Sequence, residues 1–518
     1  SSLRIVFPIL HCELVLRRQQ KLVVPVYNAM TSRNGVAGDH DDGKGNDEHS
    51  DKVAIPRHLG LFGCIWHLVG LIIGTGIFIS PTGVLRGAGG SVGLSFILWI
   101  VCAIIQTCGA LSMAELAVIM KKSGGDFTFI LQAWGPLMAF IRLWVLEMII
   151  VPSGGAVMIM TISSYLLTPF FQCEETPVVS LRLLGVFFLL FIVVINCISV
   201  RLASKLAGVL SITKIVGLVI IIITGLHNLT KGKTEHFDDS FDVASYDISL
   251  LPTGLLSGLW AYSGWSVVTS ISEEVKNPAR NIPLSIVISM SMITMVYLMA
   301  NVAYFTLLSP TQILTSTAVA ADYSVQALGI SWSWLIWLFV AMSALGSFNS
   351  SIFRSSRVKF SSAREGHLPE ILSMVSISRN TPLPAILSCV LLLVYLIEDD
   401  IIALVEYLGF IDVVFESVTI AIVPYYRWKY PDIPRPYKVP LVIAFLYMAA
   451  LVFIAVMALY AHPVRNSIAL LTAFIAIPVY YAMVHPKYKL KCIRPISVKT
   501  TRFLQKLFYC VRQEKKTF

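Results

Sequence analysis

The chain has 518 residues, of which 56% are hydrophobic and 14% are charged. A soluble domain carries about 25% charged residues, so this composition excludes an ordinary soluble fold and indicates a polytopic membrane protein. The formal net charge is +10, and its distribution along the chain decides whether it marks a nucleic-acid surface or the edges of a membrane.

The first 57 residues differ from the rest of the chain because they contain no membrane-like stretch. Residues 38–51 are polar and free of aromatic side chains, which predicts a largely disordered N-terminal tail at 1–57. The chain begins with Ser1, and a natural start at Met30 stays open. The first strongly apolar span is too long for a cleavable secretory signal.

Apolar stretches of about 20 residues are long enough to cross a bilayer as helices. The sequence predicts twelve of them, at 59–84, 92–119, 135–167, 181–199, 204–226, 250–272, 284–308, 332–360, 383–397, 401–426, 440–461 and 467–484. We therefore expect an all-α membrane domain at 58–486, followed by a basic tail at 487–518.

The 40 lysines and arginines fix the expected orientation. Most of them fall on one side of the membrane when both termini are placed in the cytoplasm, as the positive-inside rule requires. The other side receives only Arg86, Arg182, Lys231, Lys233 and Arg465. The positive charge therefore marks the cytoplasmic edge of a membrane protein and not a nucleic-acid surface.

Two features of the predicted external loops concern modification. Of the nine cysteines, only Cys173 falls in an external loop, between the third and fourth spans. An intermolecular disulfide and a free thiol both stay open for it. Asn228 begins an Asn-x-Thr glycosylation sequon near the membrane, and its use stays open. No cysteine spacing indicates a metal site, and no cofactor is expected.

The first span carries Gly74, Thr75 and Gly76 in its middle. A glycine inside a helix costs about 1 kcal/mol relative to alanine, so this run predicts a helix that breaks there. A break at bilayer depth leaves backbone N–H and C=O groups unpaired unless protein, water or a ligand satisfies them. The break is therefore a candidate binding site.

A second run of small residues, at 258–266, interrupts the sixth span. Breaks in spans one and six are what an inverted five-helix repeat predicts. The N-termini of half-helices attract an anion, and their C-terminal carbonyls attract a cation. A free amino acid carries both charges. The alternative is that these glycines only permit close helix packing.

Lys214 lies in the fifth span, where a buried ammonium costs several kcal/mol. We therefore expect such a residue to have a functional role. The alternative is that its long side chain reaches the cytoplasmic edge of the membrane.

Several motifs, taken together, resemble one transporter family. After the glycine-rich first span they are residues 81–85 (PTGVL), 110–116 (ALSMAEL), 122–126 (KSGGD), 260–265 (WAYSGW), 273–278 (EEVKNP), 355–357 (SSR), 363–369 (AREGHLP) and 435–440 (RPYKVP). The chain resembles, over about 57–486, the light subunits of the heteromeric amino acid transporters, within the amino acid–polyamine–organocation superfamily. The resemblance implies a LeuT-like fold and mostly sodium-independent exchange of amino acids at the plasma membrane.

The resemblance also implies a partner and a binding site. A cysteine matching Cys173 joins a single-span heavy-chain glycoprotein in that family. The implied carboxylate ligands are the amides of Thr75, Gly76 and Ile77. The implied amino-group ligands are the carbonyls of Ile72, Trp260 and Ser263.

Three further side chains receive roles from the resemblance. Trp260 would cover the site as a gate, although simple packing is the alternative. Asn349 would lie near the pocket for the substrate side chain. Lys214 would occupy the place of a sodium ion and tie the fifth span to the first, which argues against sodium coupling.

Two positions depart from the cystine/glutamate exchanger, which carries an arginine at each. Here Val151 precedes the third-span proline, and Asp412 stands in the tenth span, one helical turn from Glu416. Replacing arginines by an apolar and an acidic residue disfavours an anionic substrate. We expect neutral or cationic amino acids. Asp412 contacts either the substrate or another protein group, and Glu147 in the third span receives no role.

The sequence therefore predicts an amino acid exchanger that works by alternating access. A uniporter or proton-coupled symporter without a heavy chain, and an amino acid sensor without transport, are the alternatives. An enzyme is disfavoured because no nucleophile–base pair or metal constellation is evident.

Overall fold

The computed structural model describes residues 59–120, 125–171, 176–237, 240–241, 247–266, 275–377, 379, 381–398, 400–485 and 493–512. Within these ranges the protein is mostly helical. The helices are α1 Leu61–Ile72, α2 Gly76–Gly87, α3 Val92–Met120, α4 Gly125–Ala133, α5 Pro136–Val145, α6 Val151–Leu167, α7 Val178–Ile198, α8 Val200–Thr230, α9 Leu251–Ala261, α10 Pro278–Phe305, α11 Pro310–Thr315, α12 Val319–Leu328, α13 Ile330–Arg364, α14 Leu383–Leu387, α15 Ile401–Ile420, α16 Ile422–Lys429, α17 Leu441–Ala461, α18 Pro463–Val479 and α19 Ile493–Phe508.

Shorter segments complete the described structure. The π-helical turns are Leu146–Ile150 and Tyr480–Val484, and the 3₁₀ segments are Thr168–Phe170, Glu235–Phe237, Ile248–Leu250, Glu370–Ser373 and Ser388–Ile397. The strands are β1 Met374–Ser376 and β2 Cys510–Arg512.

Eight helices in the described part of the chain are long and apolar enough to cross a membrane, or nine if α1 and α2 form one bent span. Two shorter apolar segments, Ile248–Ala261 and Leu383–Ile397, lie where the sequence predicts the sixth and ninth spans. The structure thus supports a polytopic helical membrane protein, and the count of twelve spans stays a prediction.

The first apolar stretch is bent. The axes of α1 and α2 differ by 60°, and Ile73, Gly74 and Thr75 between them are not helical. Beyond this bend α2 lies against α9 at very short range, since a Cβ on Gly76 would stand only 2.6 Å from the Cα of Ala261. Only glycine leaves room for this approach, which brings the bend in α1–α2 next to the end of α9.

The turn after α9 packs on the end of α1. Gly264 adopts a φ of 107°, a backbone conformation that favours glycine, and its absent Cβ would point at the Leu71 carbonyl at 3.5 Å. The ends of α1 and α9 therefore meet each other directly. The second half of the predicted sixth span, residues 267–274, lies outside the described residues.

An aromatic cluster packs beside this junction. The ring of Trp99 in α3 meets those of Tyr262 and Tyr297 edge to face, with ring centroids 5.9 and 5.5 Å apart. All three side chains are fully buried. Edge-to-face pairs of this kind add about 0.5–1.5 kcal/mol each beyond the area they bury. The cluster therefore stabilises the junction between the ends of α1 and α9 through contacts from α3 and α10.

The expectation of an all-α fold needs one correction. β1 and β2 form a two-stranded antiparallel sheet in which Met374 faces Arg512 and Ser376 faces Cys510. Part of the predicted C-terminal tail at 487–518 is therefore ordered, as α19 followed by β2. Three-residue strands are too short to show a period-two pattern, and the two strands lie far apart in sequence. The local sequence therefore does not predict them.

Candidate functional site

The N-terminus of α2 lies inside the protein. Thr75 precedes the helix and is 2% exposed, Gly76 is its first residue, and Ile77 is fully buried. The first N–H groups of an α-helix have no acceptor within the helix. The amides of Gly76 and Ile77 therefore offer donors at a positive helix end, which is the arrangement that binds a carboxylate. These are two of the three predicted carboxylate ligands.

The carbonyl groups opposite these amides are bridged by a tyrosine that sequence reasoning missed. The Tyr297 hydroxyl lies 3.0 Å from the carbonyl oxygen of Ile72 and 3.0 Å from that of Ala261. One hydroxyl proton serves only one of these two acceptors at a time. Tyr297 thus joins the C-terminal ends of α1 and α9 while one carbonyl keeps acceptor capacity. In the sequence, the only feature that could have indicated this role was a tyrosine within an apolar helix.

Trp260 and Ser263 form a local turn. The Trp260 carbonyl oxygen accepts a hydrogen bond from the Ser263 backbone N–H at 3.1 Å and another from the Ser263 hydroxyl at 2.7 Å. These two bonds use both of its lone pairs, so the carbonyl closes the turn in this structure. The Trp260 ring is partly buried and packs against the apolar cluster of α6, α7, α13 and α15. Its role as a gate stays a prediction.

Lys214 is buried, with 6% of its surface exposed. Its ammonium donates a hydrogen bond to the carbonyl oxygen of Gly70, in the last turn of α1 before the bend. The alternative in which Lys214 extends to the membrane edge therefore does not describe this geometry. Instead a fixed positive charge ties α8 to α1 beside the candidate site.

Asn349 lies in α13 and is 1% exposed. Its side-chain N–H donates to the Ala203 carbonyl at 2.8 Å, and its side-chain oxygen accepts from Asn196 at 2.8 Å. Both ends of the amide are thus used to join α13 to α7 and α8. The predicted contact with a substrate side chain is untested.

Asp412 forms an ion pair with a buried arginine. Arg142 in α5 donates to Asp412 at 2.9 Å and to Asp126 at 2.9 Å. Of the two alternatives for Asp412, the structure thus has it paired with a protein group. Glu416, one turn further along α15, accepts from the Tyr447 hydroxyl at 2.7 Å. The Arg142 guanidinium is therefore bonded to two carboxylates, while Glu416 is bonded to a neutral hydroxyl.

Glu147, to which the sequence assigned no role, belongs to a second buried pair. It lies in the π-helical turn before α6 and meets Lys359 of α13 at 3.2 Å, and it accepts from Ser355 at 2.8 Å. The Lys359 ammonium also lies 3.4 Å from the Cys389 sulfur. Val151, a predicted specificity position, lines a small cavity beside this pair. An acid inside a span was the available signal.

The structure describes only one of the two predicted modification sites. Cys173 lies outside the described residues. Asn228 is in the last turn of α8 and is 8% exposed, a position that gives no support to glycosylation because a glycan needs an accessible asparagine. Among the described residues no group of three or more His, Cys, Asp or Glu side chains is placed to hold a metal ion.

A bundle of eight or nine apolar helices in the described ranges, with a buried interruption beside a fixed lysine, is the architecture of a membrane transport protein. The comparisons with known proteins agree. The model of the amino acid permease family matches residues 59–484, and the chain belongs to this family. Membership makes it a transporter and not an enzyme.

Three curated relatives match nearly the whole chain. The large neutral amino acids transporter small subunit 2 of Rattus norvegicus is 38% identical, covering 92% of this chain and 91% of its own length. The cystine/glutamate transporter of Homo sapiens is 39% identical, covering 90% and 93%. The b(0,+)-type amino acid transporter 1 of Mus musculus is 35% identical, covering 89% and 95%. This chain is thus similar to light subunits of heteromeric amino acid transporters.

Proposed function

We propose that this protein is a sodium-independent exchanger of L-amino acids that works by alternating access around the bend between α1 and α2. The observation that carries the proposal is the buried N-terminus of α2, placed against the end of α9 by Gly76. It offers amide donors and carbonyl acceptors side by side, and every α-amino acid carries a carboxylate and an ammonium. Twelve spans in an inverted five-helix repeat, broken in spans one and six, form the proposed scaffold.

In this proposal the substrate carboxylate lies on the amides of Thr75, Gly76 and Ile77, at the positive end of α2. Its amino group lies at the C-terminal ends of α1 and α9, where Tyr297 leaves one carbonyl with free capacity. The Ser263 turn and Trp260 close the site from one side. Since both backbone ends of the substrate are held by main-chain groups, this arrangement selects the class of substrate and not the side chain.

Lys214 supports the absence of sodium coupling. Its ammonium already donates to the Gly70 carbonyl, next to the non-helical residues whose carbonyls would coordinate a cation. A fixed positive charge at this point repels a second cation and satisfies the acceptor that a sodium ion would use. The lysine therefore does structurally what a bound sodium ion would do.

The charge around Asp412 favours neutral substrates and accepts cationic ones. Arg142 and Arg354 offset the negative charges of Asp126 and Asp412. An anionic side chain would therefore find no uncompensated positive charge there, and the Asp412 carboxylate would repel it. The relatives include a transporter of large neutral amino acids, which agrees with this preference, and a cystine/glutamate transporter, which does not.

We further propose a heavy-chain partner. One relative is called a small subunit, which implies a larger one. The partner would be a single-span glycoprotein joined through Cys173, with the complex in the plasma membrane and both termini of this chain in the cytoplasm. A band on a nonreducing gel that shifts on reduction, and is absent in Cys173→Ser but present in Cys197→Ser, would support the disulfide. An unchanged band in Cys173→Ser would contradict it.

Counterflow in proteoliposomes tests the central proposal. Liposomes loaded with unlabelled leucine should take up labelled leucine faster than empty liposomes, equally in sodium and in choline buffer. A uniporter would also take up labelled leucine into empty liposomes, which an obligate exchanger would not, and a sensor would bind leucine without uptake. Preferred uptake of glutamate in a competition panel would contradict the proposed substrate charge.

A further inference from the structure

The last described helix, α19, carries two neighbouring rows of exposed side chains. Arg502 and Lys506 are exposed and form one row, and Phe503 and Leu507 form the row beside it. Phe503 is 66% exposed and Leu507 is 56% exposed. Residues four apart lie on the same face of a helix. A basic row next to an exposed apolar row is typical of a helix that lies in the interface of a membrane.

The exposed surface continues from α19 onto the small sheet. Tyr509, which follows the helix, is 72% exposed, and Ile377, which follows β1, is 60% exposed. Together with the two rows of α19 they form what we call the basic–apolar patch: Ile377, Arg502, Phe503, Lys506, Leu507 and Tyr509. An open groove of about 800 Å³ runs along it. A surface of this kind normally has a partner, because exposed aromatic and aliphatic side chains cluster at interaction sites.

A chain of hydrogen bonds connects the patch to the end of a membrane span. The Ile377 N–H donates to the Tyr509 carbonyl at 3.1 Å, and the Ser376 N–H donates to the Thr381 carbonyl at 2.9 Å. The Thr381 hydroxyl in turn donates to the Cys197 carbonyl at 3.0 Å. Cys197 lies in the last turn of α7, a helix long and apolar enough to span the bilayer. The patch therefore lies near the level at which α7 leaves the membrane.

The protein surface at this end of α7 has the same pattern. Ile198 is 44% exposed and Leu202 is 47% exposed. Arg201 and Lys205, beside them at the start of α8, are also exposed. Exposed apolar side chains are thus followed directly by basic ones, as expected where a span enters the headgroup region. The patch on α19 continues this boundary onto the C-terminal segment.

We propose that the basic–apolar patch binds the headgroups of anionic phospholipids in the adjoining leaflet. Phe503 and Leu507 would enter the boundary between headgroups and acyl chains, while Arg502 and Lys506 would pair with headgroup phosphates and carboxylates. A second copy of this chain is a poorer occupant, because a symmetric contact would bring the basic rows of two copies together. The proposal does not depend on which solute the protein transports.

Hydrogen–deuterium exchange of the full-length protein in nanodiscs tests this proposal. Each basic residue near an anionic surface contributes about fivefold to binding. With about 30% phosphatidylserine, the two basic residues together should make amides of 502–512 exchange about 25-fold more slowly than in pure phosphatidylcholine. The double variant Arg502→Gln/Lys506→Gln should lose this difference. The matched control Lys231→Gln/Lys233→Gln removes the same charge from the exposed turn after α8 and should keep it.

A crosslinking measurement shows whether lipid or protein occupies the basic–apolar patch. Benzoylphenylalanine in place of Phe503 preserves an aromatic side chain and should crosslink to labelled phosphatidylserine in the same nanodiscs. Exchange rates that are equal in the two lipids would overturn the proposal. So would crosslinks that go only to a second copy of the chain or to another segment of the same chain.

Discussion

The Lys214 ammonium of α8 contacts the carbonyl oxygen of Gly70, three residues before α1 gives way to the non-helical segment. This contact makes a buried positive charge part of the candidate site. It satisfies a carbonyl at the point where the helix ends, and it couples the position of α1 to that of α8. A neutral side chain of similar length cannot supply this charged hydrogen bond.

We expect Lys214→Met to keep the packing of α8 and to lose the charged hydrogen bond to Gly70. Because hydrogen bonds to charged groups contribute about 1.5–3 kcal/mol, leucine exchange should fall about tenfold or more. The measurement is counterflow in proteoliposomes at matched protein density. Lys205→Met is the control, since Lys205 lies on the same helix but is exposed. Exchange in Lys214→Met at the native rate would show that the contact is incidental.

Tyr297→Phe removes the hydroxyl that lies between the carbonyls of Ile72 and Ala261 and keeps the ring in its aromatic cluster. We expect a loss of about 1 kcal/mol in stability, the usual net contribution of one hydrogen bond, and a raised KM for leucine. Thermal unfolding and uptake kinetics measure the two effects.

Tyr304→Phe is a matched control for this variant. Tyr304 is buried in the same helix, and its hydroxyl has no hydrogen-bond partner among the described residues. Removing a buried unpaired hydroxyl should leave the melting temperature unchanged or raise it. If the two variants behaved alike, the bridge from Tyr297 to the ends of α1 and α9 would have no energetic role.

Gly76→Ala places a methyl group 2.6 Å from the Cα of Ala261, and backbone atoms must shift to relieve this clash. Overpacking of this kind costs about 1–3 kcal/mol. We therefore expect a lower melting temperature and a loss of leucine binding, measured by thermal unfolding with and without leucine. Gly208→Ala is the control, because nothing lies within 4 Å of its added Cβ and alanine favours a helix.

The sequence was informative about the type of protein and about single residues. Its glycine run lies where α1 and α2 are separated, and the predicted intramembrane Lys214 is buried. These features are local: conformational freedom and the cost of burying a charge depend on the residue and its immediate neighbours. For the same reason composition and motif order sufficed to identify the family.

Pairing between helices was not readable from the sequence. Arg142 lies 16 positions from Asp126 and 270 from Asp412, and nothing in the local sequence says which faces of their helices meet. Tyr297 was missed because a tyrosine in an apolar helix is usually packing. Such pairings depend on the relative rotation of helices, which only the folded arrangement defines.

His367 should make the stability of the protein depend on pH. It lies beyond the end of α13, outside the spans, and packs edge to face on Phe127, with ring centroids 5.4 Å apart. Burial lowers the pKa of its imidazole below the ordinary value. Below about pH 6.5 the unfolded chain therefore binds a proton that the folded chain resists, so stability should fall as pH falls through this range.

The melting temperature of His367→Phe should accordingly depend less on pH than that of the native chain, between about pH 7.5 and 5.5. Phenylalanine keeps the contact with Phe127 and cannot take up a proton. His227→Phe, at an exposed position in the last turn of α8, should keep the native slope. Parallel slopes for His367→Phe and the native chain would assign the acid sensitivity to other groups.

Arg142 holds its two carboxylate partners in place. Replacing the arginine should therefore destabilise the protein more than replacing one of the carboxylates. Arg142→Gln removes the cation that is hydrogen-bonded to both Asp126 and Asp412, and breaking a buried pair in this way costs about 3–5 kcal/mol. Asp412→Asn should cost less, because the guanidinium keeps Asp126 as its partner and the Asp412 side chain is 31% exposed. Thermal unfolding of both variants should rank them in this order.

Asp412→Asn also tests the role of this cluster in choosing substrates. Asp412→Asn removes one negative charge from the cluster, so competition by arginine against labelled leucine should weaken while competition by other neutral amino acids persists. Glu398→Gln is the control, since it removes one negative charge in the segment before α15, away from the Arg142 cluster. If arginine competed equally well in Asp412→Asn and in the native chain, the cluster would stabilise the fold without selecting the substrate.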